Sequence, residues 1–206
     1  MPPKWNKYFI LNLTMNDGET CKHARWWSSR YHIPITRIFV LAGVGGRSGG
    51  GAPSPLAEVD LSSKLIIIGH GHPRAIAGMD ASQLAHKLHA FGLRRVGLIS
   101  FKSCYLGAGP FLDEFAAALH GRGTLFGWLI GYRGSVWMVD GPTERDHHEA
   151  VGLEDVELHK VGLKNSDYER IRLVRGNVRV TIPGSRRFDA ASGNLSEAYV
   201  LRTLTP

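Results

Sequence analysis

Residues 64–71 read KLIIIGHG, and this stretch decides the fold. Residues 64–68 form a continuous aliphatic run rather than an alternation of apolar and polar side chains, which is typical of a parallel strand covered on both faces. Glycine ends the run at Gly69, and His70 follows. The stretch therefore predicts a buried strand with a histidine just beyond its carboxyl end.

Other apolar runs of strand composition alternate with helical patterns on both sides of this stretch. The predicted strands cover residues 8–13, 35–41, 64–68, 95–101 and 124–131. The predicted helices cover residues 19–31, 80–91 and 110–121, the second of them capped by Asp80. Strands and helices in this order predict an α/β fold, a three-layer sandwich with a mostly parallel sheet and helices on both faces.

Length and composition favour one domain. The chain has 206 residues, of which 43% are hydrophobic, enough for one substantial core. We expect a core over about residues 5–140, followed by a carboxyl-terminal part over residues 141–206. No run approaches the roughly 18 apolar residues of a membrane span, and the opening MPPKWNKYF lacks the apolar centre of a signal peptide. We therefore expect neither a membrane span nor a signal peptide.

The carboxyl-terminal part carries two segments of opposite charge. Residues 140–160 are predominantly acidic, and residues 164–187 hold seven basic residues against two acids. Residues 171–174 and 178–182 alternate in polarity around Arg175-Gly176-Asn177, which predicts a β-hairpin. The simplest reading of each segment is a solvated surface, and the acidic one is alternatively a lid that contacts the basic hairpin.

A cysteine and a histidine follow neighbouring predicted strands. His70 follows the strand at residues 64–68, and Cys104 follows the strand at residues 95–101. Consecutive parallel strands joined by one helix usually lie side by side, so the two side chains should share one edge of the sheet. A thiolate nucleophile with a histidine acid and base is one such pair, and the side chain missing at Gly71 would let its N–H approach a substrate carbonyl.

This arrangement resembles the clan CD, or caspase-like, cysteine peptidases, in which an aliphatic strand ends in His-Gly and the next strand ends in a small residue followed by Cys. The chain is most similar within that group to the autoprocessing cysteine peptidase domains of large bacterial toxins. The motifs that carry the resemblance are IIIGHG (66–71), GMDASQLAHKL (78–88) and LISFKSC (98–104). The resemblance covers about residues 64–140.

The resemblance implies a caspase-like sandwich with a carboxyl-terminal β-hairpin flap, and a cysteine endopeptidase acting on a protein or peptide. It implies a catalytic dyad of His70 and Cys104, an oxyanion hole from the backbone of Gly71 and Cys104, and no cofactor for the chemistry. It also implies that residues 132–137 line the pocket for the residue before the cut, with Ser135 and Trp137 as the expected contacts.

The resemblance further implies activation by inositol hexakisphosphate, bound on the basic face of the hairpin, and self-processing. The expected phosphate ligands are Arg170, Arg172, Arg175, Arg179, Arg186 and Arg187. The chain would work in the cytoplasm or be delivered into a host cell as part of a toxin or effector. Two departures from the family pattern are Ser103, where Ala or Gly is commoner, and the bulky Lys102; the short lead before the domain offers no evident target for self-cleavage.

Metal and nucleic acid are the other partners to weigh. His70 and His72 could ligate a metal together with His86, His89 or the pair His147-His148, but the spacing matches no common zinc pattern, so no metal is expected. The arginines could bind nucleic acid, but no recognition helix, zinc finger or stacking platform accompanies them. An inositol phosphate is therefore the preferred polyanion.

A non-catalytic alternative remains open. A cysteine at the end of a strand is more often a small buried hydrophobic residue than a nucleophile, and Cys21 is read in that way. On this alternative the chain is a polyanion-binding module on the same scaffold, and His70 is an ordinary loop residue. The adjacent placement of His70 and Cys104 favours the peptidase.

Overall fold

The computed structural model describes residues 5–14, 16–41, 54–134, 136 and 171–180, and the statements below concern these residues. Within them, strands and helices follow one another along the chain much as the sequence predicts. The strands are β1 (Lys7–Asn12), β2 (Ile38–Val40), β3 (Ser63–Ile68), β4 (Gly71–His72), β5 (Ala75–Ile76), β6 (Arg95–Lys102), β7 (Leu125–Tyr132) and β8 (Ile171–Arg175). The helices are α1 (Gly18–Tyr31), α2 (Ala81–Ala90) and α3 (Phe111–Gly121), with a 3-10 turn at Ile35–Arg37.

Six of these strands form one mostly parallel sheet in the order β2-β1-β3-β6-β7-β8. Only the pairing of β7 with β8 is antiparallel among the described strands of this sheet. Strands β3 and β6 are neighbours, with Ile68 in register with Lys102, as the alternation of strands and helices predicted. The short strands β4 and β5 form a separate antiparallel pair directly after β3.

Helices cover both faces of the sheet because successive side chains of a strand point to opposite sides. In β3, Ile66 and Ile68 pack in the cluster that contains Trp27 of α1. Leu65 and Ile67 pack on the other side, with the apolar faces of α2 and α3. All four β3 side chains are fully buried, and each buried aliphatic side chain contributes roughly 1.5–3 kcal/mol. The predicted three-layer α/β architecture is therefore confirmed.

Aspartates begin two of the helices. The side chain of Asp80 accepts a hydrogen bond from the N–H of Gln83, and the Gln83 side chain accepts one from the N–H of Asp80. This reciprocal capping box confirms the predicted start of α2. At α1, the side chain of Asp17 accepts a hydrogen bond from the N–H of Glu19. Asp17 thereby fixes the position at which the chain leaves β1 and enters the helix.

The strand predicted over residues 35–41 is shorter in the structure. Residues 35–37 form a 3-10 turn, and the strand begins at Ile38. Pro34 stands before the turn in extended conformation and lacks the N–H that a strand would use for pairing. Ile35 is consequently turned to solvent, with 79% of its surface exposed. The β-branched composition of the segment predicted a longer strand than the proline allows.

The predicted hairpin at residues 171–182 is corrected within the described residues. Strand β8 is the antiparallel edge strand of the main sheet, and residues 178–180 form no strand against it. Instead the chain turns across the end of β7, where the N–H of Val178 donates to the Phe126 carbonyl and the indole N–H of Trp128 donates to the Val180 carbonyl. Alternating polarity fits an edge strand and a hairpin equally well, so the pattern alone did not separate them.

The rest of the carboxyl-terminal part lies outside the described residues. This holds for the acidic segment 140–160, for the remainder of the predicted flap and for residues 42–53. The division of the chain into a core and a carboxyl-terminal part stays a prediction. In the portion that the structure describes, no helix is long and apolar enough to cross a membrane.

Candidate active site

The carboxyl ends of β3 and β6 bring His70 and Cys104 to one cavity. Both residues line a cavity of about 280 Å³ at this edge of the sheet. Helix α1 forms the opposite wall with Glu19, Thr20 and His23. In an open α/β sheet this is where ligand sites are usually found, because loops and helix termini converge there.

The thiol of Cys104 is contacted by the chain segment that follows β7. It is half-buried, and the N–H of Val136 donates to its Sγ over 3.2 Å. The next residue, Tyr105, has φ 60°, in the left-handed region that side chains other than glycine rarely adopt, and its N–H donates to the Gly134 carbonyl. A tight turn thus follows the cysteine, and a hydrogen bond to the segment after β7 stabilises this turn.

The imidazole of His70 is held by a carboxylate. Its Nε2 forms a short hydrogen bond and ion pair with Oδ2 of Asp17. His70 is 70% exposed at its side chain and Asp17 only 24%, so the histidine reaches into solvent from a more protected anchor. Because Nε2 contacts Asp17, Nδ1 is the other ring nitrogen that can exchange a proton.

The two carboxylate oxygens of Asp17 therefore contact two different parts of the fold, the start of α1 and the loop after β3. Oδ1 caps α1 through the N–H of Glu19, and Oδ2 orients His70. Burial alone would raise the pKa of Asp17, but the hydrogen bonds from Glu19 and His70 outweigh it and hold the pKa below its ordinary value. The carboxylate is consequently ionised at neutral pH and able to stabilise a positively charged His70.

Gly71 is the residue whose missing side chain the site requires. A Cβ built on Gly71 would lie 2.2 Å from the Cys104 carbonyl oxygen and 2.9 Å from the Cys104 nitrogen. The N–H of Ala77 donates to the His70 carbonyl, which makes the next pair, Gly71 with Ile76, a non-hydrogen-bonded pair of the antiparallel ladder. The N–H of Gly71 therefore points away from β5 and is not used in this ladder.

A buried lysine and a histidine also line the cavity. Lys102, the last residue of β6, lines the cavity and is 1% exposed. Its ammonium donates to the hydroxyl of Tyr132 over 3.1 Å and sits 4.0 Å from the ring centroid of Trp27. Burial lowers the pKa of His23, and although Glu19 counteracts this, the pKa stays below its ordinary value. His23 is thus a neutral hydrogen-bonding group beside a buried cation.

The two predicted pocket residues, Ser135 and Trp137, lie outside the described residues. Val136, which stands between them, does line the cavity and touches the Cys104 thiol. Of the segment 132–137 that the sequence assigned to the pocket, the structure describes residues 132–134 and 136, and Val136 is the one of these that lines the cavity.

The six predicted phosphate ligands are not brought together in the described part of the chain. Arg170, Arg186 and Arg187 lie outside it. Arg172 is largely covered, and it donates to the Gly109 carbonyl over 2.8 Å and to the Asp113 carboxylate over 2.6 Å.

The other two arginines are exposed and lie apart from Arg172. Leu173 and Val174 pack on opposite sides of the sheet, so Arg175 faces away from the α3 side, where Arg172 lies. Arg179 follows the turn after β8. The predicted common face of Arg172 and Arg179 on a hairpin is therefore not formed by the described residues.

No group of three His, Cys, Asp or Glu side chains among the described residues is arranged to hold a metal ion. Cys21, read from the sequence as structural, lies 3.8 Å from the side-chain nitrogen of Asn12 and does not line the cavity.

Asp17 is the functional residue that the sequence reasoning missed. Its place before a helical run is a common signal for an N-cap, but Asn16-Asp17-Gly18 also has the composition of a simple turn. Its contact with His70 spans 53 residues, a separation that local patterns do not encode.

Comparisons with known proteins give one structural likeness. No protein-family model matches the chain, and no curated protein matches it. A solved structure of a secreted C11 cysteine protease from Bacteroides thetaiotaomicron, in complex with an irreversible peptide inhibitor, aligns with a TM-score of 0.40 and 10% sequence identity. The alignment covers 89% of this chain and 67% of that one.

Proposed function

We propose that this chain is a caspase-like cysteine endopeptidase in which Cys104 is the nucleophile and His70 the acid and base. The observation that carries the proposal is the cavity that both side chains line, at the carboxyl ends of two adjacent parallel strands. The tight packing of Gly71 against the backbone of Cys104 supports it, because a structural cysteine needs no such neighbour.

In the first half of the reaction, Nδ1 of His70 takes the thiol proton of Cys104, and the Sγ thiolate attacks the carbonyl carbon of the scissile peptide bond. The electron pair moves to the carbonyl oxygen, which is stabilised by the backbone N–H groups of Gly71 and Cys104. Collapse of this intermediate expels the amine, which takes a proton from Nδ1 of His70, and an acyl-thioester on Cys104 remains.

In the second half, His70 removes a proton from a water molecule that attacks the thioester. The thiolate leaves, and the carboxylic acid product departs from the site. Asp17 stabilises the imidazolium and keeps its ring in one orientation through both halves, so it acts as a positioning residue rather than in contact with substrate.

The test is intact mass spectrometry after brief exposure to a peptidyl acyloxymethyl ketone, an electrophile that requires an activated thiol. The wild-type chain should gain one label, on Cys104, and His70→Ala should react roughly tenfold more slowly or worse. Cys21→Ser is the matched control, because Cys21 is the other half-buried thiol, and it should react like the wild type.

The same variants should then be tested for cleavage of an unfolded protein. Cys104→Ala should lose cleavage while its thermal unfolding stays close to that of the wild type. Cleavage by Cys104→Ala at the wild-type rate, or equal slow labelling of Cys21 and Cys104, would remove the proposal and favour the non-catalytic binding module.

Activation by inositol hexakisphosphate, self-processing and delivery as part of a toxin or effector stay predictions from the resemblance. Repeating the labelling experiment with inositol hexakisphosphate tests the predicted activation directly. A faster reaction of Cys104 in its presence, with no change at Cys21, would support an activating site.

A further inference from the structure

We infer that the hydroxyl of Ser103 is a third hydrogen-bond donor to the oxyanion that forms when Cys104 attacks its substrate. The inference rests on the proposed function and adds a catalytic residue to it, beside the two backbone N–H groups already assigned. The observation that carries it is a buried hydroxyl without a hydrogen-bond partner, on the residue directly before the nucleophile.

The burial of the Ser103 hydroxyl is not offset by its surroundings. Ser103 is 2% exposed, and its Oγ is covered and forms no hydrogen bond with the described residues. A hydroxyl that leaves water without gaining a partner destabilises the folded chain, so unpaired groups of this kind are few in native proteins. A group that binds the hydroxyl during the reaction accounts for its presence.

Position separates Ser103 from the other unpaired side-chain atoms of the described residues. These are the hydroxyls of Thr14 and Thr124 and Nε of Arg122. None of those three residues lines the cavity at the carboxyl ends of β3 and β6, whereas Ser103 does. A substrate in this cavity therefore lies against one such residue, and that residue stands beside Cys104.

The Ser103 side chain also lies beside both parts of the proposed oxyanion hole. A Cβ built on Gly71 would lie 2.9 Å from the Cβ of Ser103 and 2.9 Å from the nitrogen of Cys104. The serine side chain and the Cys104 nitrogen therefore meet the same side of Gly71. The hydroxyl, one bond from that Cβ, is placed next to the oxygen that the N–H groups of Gly71 and Cys104 would bind.

The hydroxyl reaches this oxygen by rotation. Rotation about the Cα–Cβ bond moves Oγ among three staggered positions, and no hydrogen bond to the described residues holds it in its present one. When Sγ of Cys104 attacks, the carbonyl electron pair moves to oxygen, and a hydrogen bond from Ser103 to this anion is charge-assisted. Because the bond forms with the oxyanion rather than with bound substrate, it raises kcat with little effect on KM.

The first experiment measures kcat and KM of Ser103→Ala, which removes the hydroxyl and keeps the Cβ that lies against Gly71. The substrate is a fluorogenic peptide amide with the peptide of the acyloxymethyl ketone that labels Cys104 fastest. We expect kcat to fall about 10- to 100-fold, as for loss of a hydrogen bond to a charged group, with KM within about twofold of the wild type.

Thr124→Val is the matched control, because it removes another buried and unpaired hydroxyl with little change of shape. Thr124 directly precedes β7, which runs parallel to β6, so it lies at the opposite end of the sheet from the cavity. Removing an unpaired buried hydroxyl should raise the melting temperature by about 2–4 °C in both variants. Ser103→Ala should thus be more stable and less active, whereas Thr124→Val should be more stable and equally active.

Two thiol reagents separate an effect on the oxyanion from an effect on the thiol. A peptide aldehyde of the same sequence gains a bond from Sγ to its carbonyl carbon, while the carbonyl electron pair moves to oxygen and the thiol proton to His70. Iodoacetamide alkylates Sγ by displacing iodide and forms no oxyanion. In a Cys21→Ser background, which leaves one thiol, Ser103→Ala should weaken aldehyde inhibition about tenfold or more and leave the alkylation rate unchanged.

The outcomes separate this inference from the proposed function. Wild-type kcat in Ser103→Ala, or an equal loss of kcat in Thr124→Val, would overturn the inference and leave the peptidase standing. A lower melting temperature of Ser103→Ala, or an equal fall in aldehyde inhibition and alkylation rate, would also overturn it. If wild-type Cys104 reacts no faster than Cys21 with any probe, the proposed function falls, and the inference falls with it.

Discussion

The carboxylate of Asp17 holds the imidazole of His70 through Nε2, although 53 residues separate them along the chain. The contact joins the start of α1 to the loop after β3. The other carboxylate oxygen caps the helix, and His70 lines the same cavity as Cys104. Helix start and histidine orientation are therefore set by one side chain.

The variant Asp17→Asn tests the positioning role of that contact. Asparagine caps helices about as well as aspartate, so α1 should stay intact, while the charge that stabilises protonated His70 is lost. We expect Cys104 labelling and peptide cleavage to fall roughly tenfold or more. The loss should appear in kcat with little change in KM, and the pH profile of kcat should shift. A loss of folded protein alone would leave the pH profile of kcat unchanged.

The variant Gly71→Ala tests the close approach of β4 to the nucleophile. The added Cβ would lie 2.2 Å from the carbonyl oxygen of Cys104, so one backbone must move. We expect near-complete loss of Cys104 labelling together with a lower melting temperature. Gly121→Ala is the matched control, since nothing lies within 4 Å of its added Cβ, and it should leave labelling unchanged. Wild-type labelling by Gly71→Ala would show that the oxyanion role assigned to Gly71 is wrong.

The sequence predicted where the strands end, but it did not predict side-chain contacts between residues far apart in the chain. The aliphatic run before His70 and the apolar run before Cys104 each define a buried strand locally, and parallel topology then places their ends together. Asp17 looked like a turn residue, because nothing in its neighbourhood indicates a partner on another strand. Lys102 looked like a bulky departure from a family pattern, because its burial depends on Trp27 of a distant helix.

The predicted hairpin is not formed by the described residues, and the reason is a different one. Alternating polarity over residues 171–182 reports one buried and one exposed side, which an edge strand and a hairpin share. The decisive interaction was the antiparallel pairing of β8 with β7, with Leu173 opposite Ile130, and this depends on which edge of the sheet is open. The positive charge of the arginines does not distinguish an edge strand from a hairpin either.

Acid sensitivity of folding should depend on Asp60, at the entrance to β3. Burial alone would raise the pKa of Asp60, but the hydroxyls of Ser62 and Ser63, with the ammonium of Lys7, lower it from 3.8 to about 2. Because the folded pKa is lower than the unfolded one, this stabilisation is complete above about pH 4 and is lost as the pH falls toward 2. The side chain is 35% exposed, so solvent screening leaves about 1–2 kcal/mol.

Urea unfolding of Asp60→Asn measures this contribution. The variant should be less stable than the wild type at pH 7, and the difference should shrink as the pH is lowered from 5 to 3. Glu58→Gln, a change at an exposed acid two positions away, should show no such convergence. A difference that stays constant with pH would mean that the serine hydrogen bonds, and not the charge, are what Asp60 supplies.

Arg172 should behave differently from the other described arginines. It braces the loop after Cys104 through the Gly109 carbonyl and pairs with Asp113 of α3, and its side chain is only 14% exposed. Removing it in Arg172→Ala leaves a covered carbonyl and a carboxylate without their partner, which we expect to cost about 1–3 kcal/mol in thermal or urea unfolding.

The exposed residues Arg175 and Arg179 give the cleaner test of polyanion binding, because neither Arg175→Ala nor Arg179→Ala should change stability by more than about 0.5 kcal/mol. If the predicted inositol hexakisphosphate site includes them, calorimetry should show weaker binding in each variant and a steep loss of affinity with added salt, since exposed charges are screened. Tight binding that is unaffected by either change would place the site elsewhere. Absence of binding to the wild type would remove the polyanion prediction, while the roles of His70 and Cys104 would stand on the labelling experiment alone.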